Sequence, residues 1–493
     1  MSGANRGRRS LLERLSSWTG RPPAGSRPPN VLLVLSDEHN AGVAGFAGNR
    51  VARTPNLDEL AARGVVFDSC YCNSPLCGPS RMSITAVRHP SRVGAWGNAS
   101  WLPSDDVPSI ARAMNAAGYE SLLCGKQHYD ATRRYGFREL GSWRTNQYRK
   151  TGIVRRRDPD DWTPPDQISK RFSNFRAGDD SPVMRHDRAV TETAGSFLRR
   201  RSRKDAPFFM LVGYLAPHFP LIVPNEYWNR YRGRVPLPEI PPGHLESQPR
   251  NYQHLRLGFA MHDVPEETMR RGRELYYGLS EWMDDQVGHL LGALRRSRVA
   301  DDTVVIYASD HGEMLGEHGL WWKNCAYEGA TRVPLVVSWP ERWKGGQHRS
   351  GACSLVDLMQ SIAELGGAEP DDAWDGDSLC SWLDAEESPW KDRALSEYYG
   401  HNVTSAFTML RSGPWKYVYH TPPDPRHPAE RELYDLATDP GEFDNRAEDP
   451  EQAQRVETLH RELVHEVGED PDDVDARCRA EVATGYPRSD EPS

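Results

Sequence analysis

Nothing in the sequence approaches the ~18 consecutive apolar residues that span a bilayer, so no membrane segment is expected. Cysteine is scarce: Cys70, Cys72, Cys77, Cys124, Cys325, Cys353, Cys380 and Cys478 are the only eight in 493 residues. Their irregular spacing and the lack of any CxxC pair exclude a disulfide framework and a zinc finger, and predict a protein of the reducing cytoplasm. A strong basic surplus is also missing. The net charge of -9 is spread over a long chain, which argues against a nucleic-acid partner. There is no internal repeat. The "GRRSLL" near the start is similar to a twin-arginine export signal, yet no apolar stretch follows it, so residues 1–28 read as a disordered leader.

A chain of this length exceeds one compact core and calls for a large domain with a smaller one appended. "NVLLVLS" at 30–36 is a continuous apolar run suited to a parallel strand buried on both faces. "TPNLDELAARG" is a helix opened by Thr54 and Pro55 and closed by Gly64, and "VVFDSCY" is the next strand. Helix and strand alternate again through 107–126, 187–218 and 267–309, and "RVPLVVSWP" adds a further strand. The pattern predicts an α/β fold, a mostly parallel sheet between helices, over residues 29–385, with the polar 130–186 stretch inserted over the sheet edge. After it, "ALSEYY", "AFTMLRS" and "WKYVYH" are short strands of a small antiparallel subdomain, 386–468, with a helix near 450–467. The acidic "EDPDDVD" belongs to a polar tail, 469–493, and reads as a solvated charge run.

Open parallel sheets place their chemistry where strands end. The first strand ends in Asp37 and Glu38, the one near 120 in Lys126 and His128, the one near 210 in His218, and the one near 305 in Asp310 and His311. Each residue alone has an ordinary structural use; a lone histidine is more often a satisfied packing residue than a ligand. Their joint placement at four strand exits is the signal. Asp37, Glu38, Asp310 and His311 suit a hard divalent cation, calcium first and manganese as the alternative. Lys126, Lys323 and Arg81 are fixed cations for an oxyanion, and His128 and His218 are of the type that moves protons near neutral pH. Together they describe a site for a tetrahedral anionic ester.

Cys77 stands in "NSPLCGPSRMSITAVR", where Pro79 and the apolar spacing start a helix whose positive end favours an anion, substrate or thiolate. A tyrosine-phosphatase loop is excluded, because Ser83 stands where its arginine belongs. "GYESLLCGKQ" has neither the glycine spacing nor the Ser/Thr of a Walker A loop, and "HGEMLGEH" lacks the HExxH spacing. "CGPSR" does fit C-x-P-x-R, the signature by which sulfatases mark a cysteine for oxidation to Cα-formylglycine. With "NVLLVLSDEH", "TPNLDELAARGVVF", "GYESLLCGKQHY", "APHFP", "SDHGEMLGEHGLWWK" and "ELYDLATDPGEFDN", the chain resembles a type I sulfatase of the alkaline phosphatase superfamily over about residues 29 to 450.

That resemblance implies a formylglycine made from Cys77 by a formylglycine-generating maturation enzyme, and a hydrolase acting on a small-molecule or sugar sulfate ester. It makes Asp37, Glu38, Cys77, Asp310 and His311 the metal set, with Glu38 at a position where other members carry Asp or Gln. Arg81 would hold the formylglycine oxygen, Lys126 and His128 match a K-x-H pair, and His218 and Lys323 would contact the sulfate and the leaving oxygen. Asn98 in "GAWGNAS", and His311, resemble the choline sulfatase and phosphonate monoester hydrolase branch, with Asn98 binding substrate. The expected reaction is in-line attack on sulfur by a hydrate oxygen, protonation of the alcohol by His218 with Lys323, and removal of a proton from the second hydroxyl by His128. Phosphonate monoester or phosphodiester hydrolysis with the same nucleophile is the alternative, and a non-catalytic anion-binding protein a third reading. Trp321 and Trp322 would pack or cage a quaternary ammonium. An oligomer is compatible with the sequence.

Overall fold

The computed structural model of the chain describes residues 27–147 and 154–484; the expected leader, save its last two residues, lies outside them, as do the last nine residues of the tail. The apolar run at 30–36 forms β1 (Asn30–Asp37), buried at every position. Its side chains alternate between two cores, as strand geometry requires: Leu32 and Val34 face one, Val31, Leu33 and Leu35 the other. The first core is closed by the helices Pro55–Ala62, Pro182–Arg200 and Glu266–Arg295 through Leu57, Val190 and Leu290. The second is closed by Cys77–Ala86, Ile110–Ala116 and Leu355–Gly366 through Met82, Met114 and Leu358. Helices on both faces explain why β1 carries no polar alternation.

The other strands of this sheet are β2 (Val65–Tyr71), β3 (Glu120–Gly125) and β4 (Arg138–Glu139), then, past the short pair β5 (Arg176–Ala177) and β7 (Ile222–Val223), β6 (Phe208–Pro217), β8 (Thr303–Ser309), β9 (Arg332–Val333), β10 (Leu335–Ser338) and β11 (Gln347–Ser354). Their order is β11-β2-β10-β8-β1-β6-β3-β4, with β9 beside β2. The neighbours β8, β1, β6 and β3 are parallel, whereas β10 runs antiparallel between β8 and β2. Parallel return needs a crossover, usually a helix. Between β8 and β10 the chain has no helix longer than the four-residue Glu328–Thr331, beside a 3-10 turn and the short β9, so it stays at one end of the sheet and returns antiparallel.

The C-terminal strands β12 (Arg393–Tyr398), β13 (Phe407–Ser412), β14 (Trp415–His420) and β15 (Glu430–Asp435) form an antiparallel meander covered by the helix Ala453–Val467. The "EDPDDVD" segment is not a solvated run. It opens the helix Pro471–Ala483, with Asp470 capping it by accepting from the Asp472 N–H. Pro471, Val474 and Cys478 repeat at helical spacing and are buried, and the acids sit at the end where a helix favours them. Asp475 is buried too, 2.6 Å from Arg156 and 2.8 Å from Arg479. Lys416 on β14, fully buried, ties the meander to the larger domain through Glu328 at 3.1 Å and also pairs with Glu442 of its own subdomain at 2.7 Å. Within 130–186, β4 extends the sheet beside β3, and Phe172 and Phe175 enter the first core.

Candidate active site

The four adjacent parallel strands deliver their exit residues to one edge: Asp37 and Glu38 from β1, Lys126 and His128 from β3, His218 from β6, Asp310 and His311 from β8. The turn after β3 depends on two glycines. A Cβ on Gly125 would stand 2.2 Å from the Gly213 carbonyl oxygen, and one on Gly213 1.9 Å from that of Lys126. Only this close backbone approach lets Lys126 bend back onto Asp37, with which it pairs. Cys77 is the first residue of its helix, and Lys323 comes from the β8–β10 connection.

Ligand atoms of Asp37, Cys77, Asp310 and His311 all lie within 4.8 Å of one another, and Asp37, Glu38 and His218 form a second such group. The Cys77 Sγ is 3.1 Å from His311 Nε2, which is 3.6 Å from Asp37 Oδ1 and 3.7 Å from Asp310 Oδ1. The other ring nitrogen of His311, Nδ1, lies 3.0 Å from the Gly312 carbonyl; donating there turns the Nε2 lone pair into the cluster. Glu38 approaches Lys323 Nζ at 3.0 Å and His218 Nε2 at 3.2 Å, yet neither of its buried oxygens accepts an aligned hydrogen bond among the described residues. Buried carboxylate oxygens without acceptor geometry, three acids and one imidazole fit a hard divalent cation.

The electrostatics follow from burial and neighbours. Burial disfavours charge on Asp37, but Lys126, His218, Arg81 and His311 outweigh it and hold the carboxyl well below its ordinary range. Burial pushes Glu38 up to about 8 against the pull of Lys323. Burial and then Asp37 push the Cys77 thiol up to about 12, so the helix start carries a neutral thiol and not the thiolate its dipole alone would favour. Burial and Lys126 bring His128 down to about 3, and burial and Lys323 take His218 well below its usual value. Both imidazoles rest neutral instead of titrating near pH 7.

Arg81 is fully buried. Its Nε donates to Asp310 Oδ2 at 2.7 Å and its Nη1 to the Lys126 carbonyl at 2.8 Å and Gln127 Oε1 at 3.3 Å. Asn98 Oδ1 accepts from the Gly78 N–H at 2.8 Å, and its carbonyl lies 3.0 Å from His128 Nε2, so Asn98 links the start of the Cys77 helix to His128. A Cβ at position 78 would stand 2.9 Å from the Asn98 Cα, which explains the glycine in "CGPSR". Trp321 and Trp322 are each 1% exposed and pack against Phe172, at 5.5 and 5.4 Å between ring centres.

Sequence reasoning missed four contributors. Gln127 stood inside the quoted "CGKQH". Glu313 stood inside "SDHGE"; it accepts from the Leu315 and Trp322 N–H groups and fixes the loop just before Lys323. Tyr276 donates to the Glu38 carbonyl at 2.6 Å from a helix with no motif. Arg171, whose guanidinium lies 4.5 Å from the centre of the Phe219 ring next to His218, comes from the polar 130–186 stretch, where no spacing marks it.

A metal donor set, fixed cations and two imidazoles around a helix-start residue, at the exit edge of a doubly covered sheet, define a hydrolase site for an anionic ester. The chain belongs to the sulfatase family and is a sulfuric ester hydrolase: residues 29–368 match the family described as Sulfatase, and residues 316–469 match the C-terminal region of N-sulphoglucosamine sulphohydrolase. It is 32% identical over 444 residues to a choline-sulfatase of Rhizobium meliloti (strain 1021), covering 86% of this chain and 83% of that one. It is 27% identical over 461 residues to arylsulfatase K of Xenopus laevis, covering 88% and 82%. The fold is shared with a phosphonate monoester hydrolase from Silicibacter pomeroyi (TM-score 0.71, 24% identity, 90% and 96% covered). It is shared also with a protein solved with its substrate D-glucosamine-2-N,6-O-disulfate (TM-score 0.70, 22% identity, 91% and 100% covered). Among the described residues no helix is long and apolar enough to cross a membrane.

Proposed function

We propose that the chain hydrolyses its sulfate ester with a formylglycine made from Cys77 and one divalent cation, calcium before manganese, held by Asp37, Glu38, Asp310, His311 and residue 77. The observation that carries this reading is the placement of the C-x-P-x-R cysteine inside the Asp37, Asp310 and His311 donor set. The formylglycine hydrate supplies the attacking oxygen, and the cation lowers the charge cost of that attack.

The chain's own residues do the rest. Arg81 Nη2, buried and without an acceptor among the described residues, is the donor left for the oxygen at position 77. Lys126 and Lys323 balance the charge on the sulfuryl oxygens. His218 Nδ1 lies 2.6 Å from the Phe219 carbonyl and donates there, which fixes its ring and turns the Nε2 lone pair toward the site. His218 must first take up a proton at Nε2, as the anionic substrate enters, before it can pass that proton to the leaving oxygen, with Lys323 beside it. His128 donates from Nε2 to the Asn98 carbonyl, so Nδ1 is the nitrogen that takes the proton from the second hydroxyl. Asn98 has Oδ1 committed to Gly78 and presents its amide nitrogen to the substrate. A maturation enzyme must act on position 77. The eight cysteines are all unpaired and buried, which supports a reducing, cytoplasmic compartment.

The test is mass analysis of the tryptic peptide ending at Arg81, from protein co-expressed with a formylglycine-generating enzyme, together with turnover of Cys77→Ser. The aldehyde is expected in the first, and at most one equivalent of alcohol per protein in the second. Sustained turnover by Cys77→Ser overturns the reading. Faster hydrolysis of an aryl phosphonate ester than of the matching aryl sulfate would move it to the phosphonate class.

A further inference from the structure

We propose that the alcohol bearing the sulfate carries a second anionic group, a carboxylate or another sulfate, and that Arg171 receives it. This rests on the sulfate-ester reading above and adds the substrate class.

Arg171 sits in the short 3-10 helix Lys170–Asn174. Its guanidinium lies 4.5 Å from the centre of the Phe219 ring, 4.7 Å from that of Trp322 and 5.2 Å from that of Phe259. The Phe219 ring also stacks on His218 at 4.3 Å and lies 5.5 Å from Lys323 Nζ. Arg171 is therefore one ring away from the two groups proposed to act on the leaving oxygen. It is partly exposed, and among the described residues its guanidinium makes no hydrogen bond and no ion pair. Glu38 and Glu313 act on it only through space, and Glu313 is already bound by two backbone N–H groups. A guanidinium packed against three rings with its N–H groups unspent among the described residues can take a carboxylate or sulfate through its fork.

The same geometry argues against a quaternary ammonium alcohol. Caging such a group needs open aromatic faces. Here Phe172 stacks on Trp322 at 5.4 Å and Arg171 lies over Trp322, Phe219 and Phe259, so the rings already hold a cation that would repel another. From the C-terminal subdomain, His401 stands in the field of Arg171, Lys323 and Arg156, and its buried Nδ1 has no partner among the described residues. It offers a neutral polar group beside the cationic wall.

The experiment uses the matured, calcium-loaded protein and four substrates: 3-(sulfooxy)benzoate, its methyl ester, benzene-1,3-diyl disulfate and choline O-sulfate. The carboxylate and the disulfate are expected to exceed the methyl ester in kcat/KM by about ten- to a hundredfold, the worth of one charged hydrogen-bonded contact. Choline O-sulfate should be the poorest. Arg171→Gln should collapse the ratio of carboxylate to methyl ester toward one; comparing that ratio between proteins cancels the intrinsic reactivity of the two esters. Arg171→Lys should keep part of it, and rising ionic strength should erode it in the wild type. The last measurement stands even if both variants fail to fold. A ratio unchanged in Arg171→Gln, or a wild type that prefers the methyl ester or choline O-sulfate, overturns this proposal and leaves sulfate hydrolysis standing. No turnover of any sulfate ester by protein with confirmed formylglycine overturns both.

Discussion

Lys323→Ala in the matured, metal-loaded enzyme separates direct action on the leaving oxygen from a structural use of this lysine. The Lys323 Nζ is 3.0 Å from Glu38 Oε1, and the residue is 5% exposed, so bulk water screens it little. A unit charge about 4 Å from another interacts by about 4 kcal/mol at an effective dielectric of ~20, which sets a ceiling near a thousandfold in rate. Loss of one preorganised donor to a developing oxyanion costs about 10² to 10³. The expected fall in kcat is therefore about 10² to 10³, measured by phenol release from a series of aryl sulfates. Charge on the departing oxygen grows as the phenol becomes less acidic, so the loss should steepen along the series. Removing Lys323 also takes the nearest cation from Glu38, so calcium affinity should hold or rise. A rate equal to wild type, a loss uniform across the phenols, or full rescue by excess calcium would each refute direct action on the leaving oxygen.

Lys416→Met leaves the buried Glu442 and the half-buried Glu328 carboxylates together without their shared cation and should destabilise the fold by about 3 kcal/mol in urea denaturation. Calcium at about a hundred times its Kd should stabilise the protein by about 2.7 kcal/mol, and Asp37→Asn with Asp310→Asn should abolish that gain, as read by denaturation with and without chelator. Burial lowers His89 from 6.5 to about 4, and Asn73 Nδ2 lies 3.3 Å from its Nδ1. The unfolded chain binds the proton more readily, so stability is whole above pH 6.5 and falls as pH drops toward 4, by about 3 kcal/mol at about 1.4 kcal/mol per unit. His89→Gln should flatten that part of the stability profile, and an unchanged slope would remove His89 as its source.

What could be read from the sequence follows physical reach. β1 is buried on both faces, so its apolar run was unambiguous, and the residues after it had to stand at the sheet's edge. The same reasoning located the exits of β3, β6 and β8, because a strand's end is fixed within a residue or two once the apolar run stops. Strand direction was less accessible: β10 has the composition of its parallel neighbours, and only the missing crossover helix in the long connection before it reverses it. The acidic 469–475 stretch deceived because charge density masked the i, i+3, i+7 repeat of Pro471, Val474 and Cys478.

Side-chain partnership was the least legible layer, since it depends on contacts hundreds of residues apart. Arg81 belongs to a maturation motif, yet three of its nitrogen contacts go to Asp310, the Lys126 carbonyl and Gln127, so the same residue also braces two strand exits. Ordinary histidine chemistry suggested proton carriers near pH 7, but burial beside Lys126 and Lys323 keeps His128 and His218 neutral at rest. A neutral imidazole between fixed cations can accept a proton only when negative charge arrives to offset it. In the proposed reaction that charge would be the substrate's own sulfate, and the two histidines would become competent when the site is filled. Arg171 extends that logic outward, since a second anion on the alcohol would complete the balance beside a guanidinium that has, among the described residues, no carboxylate within ion-pair reach.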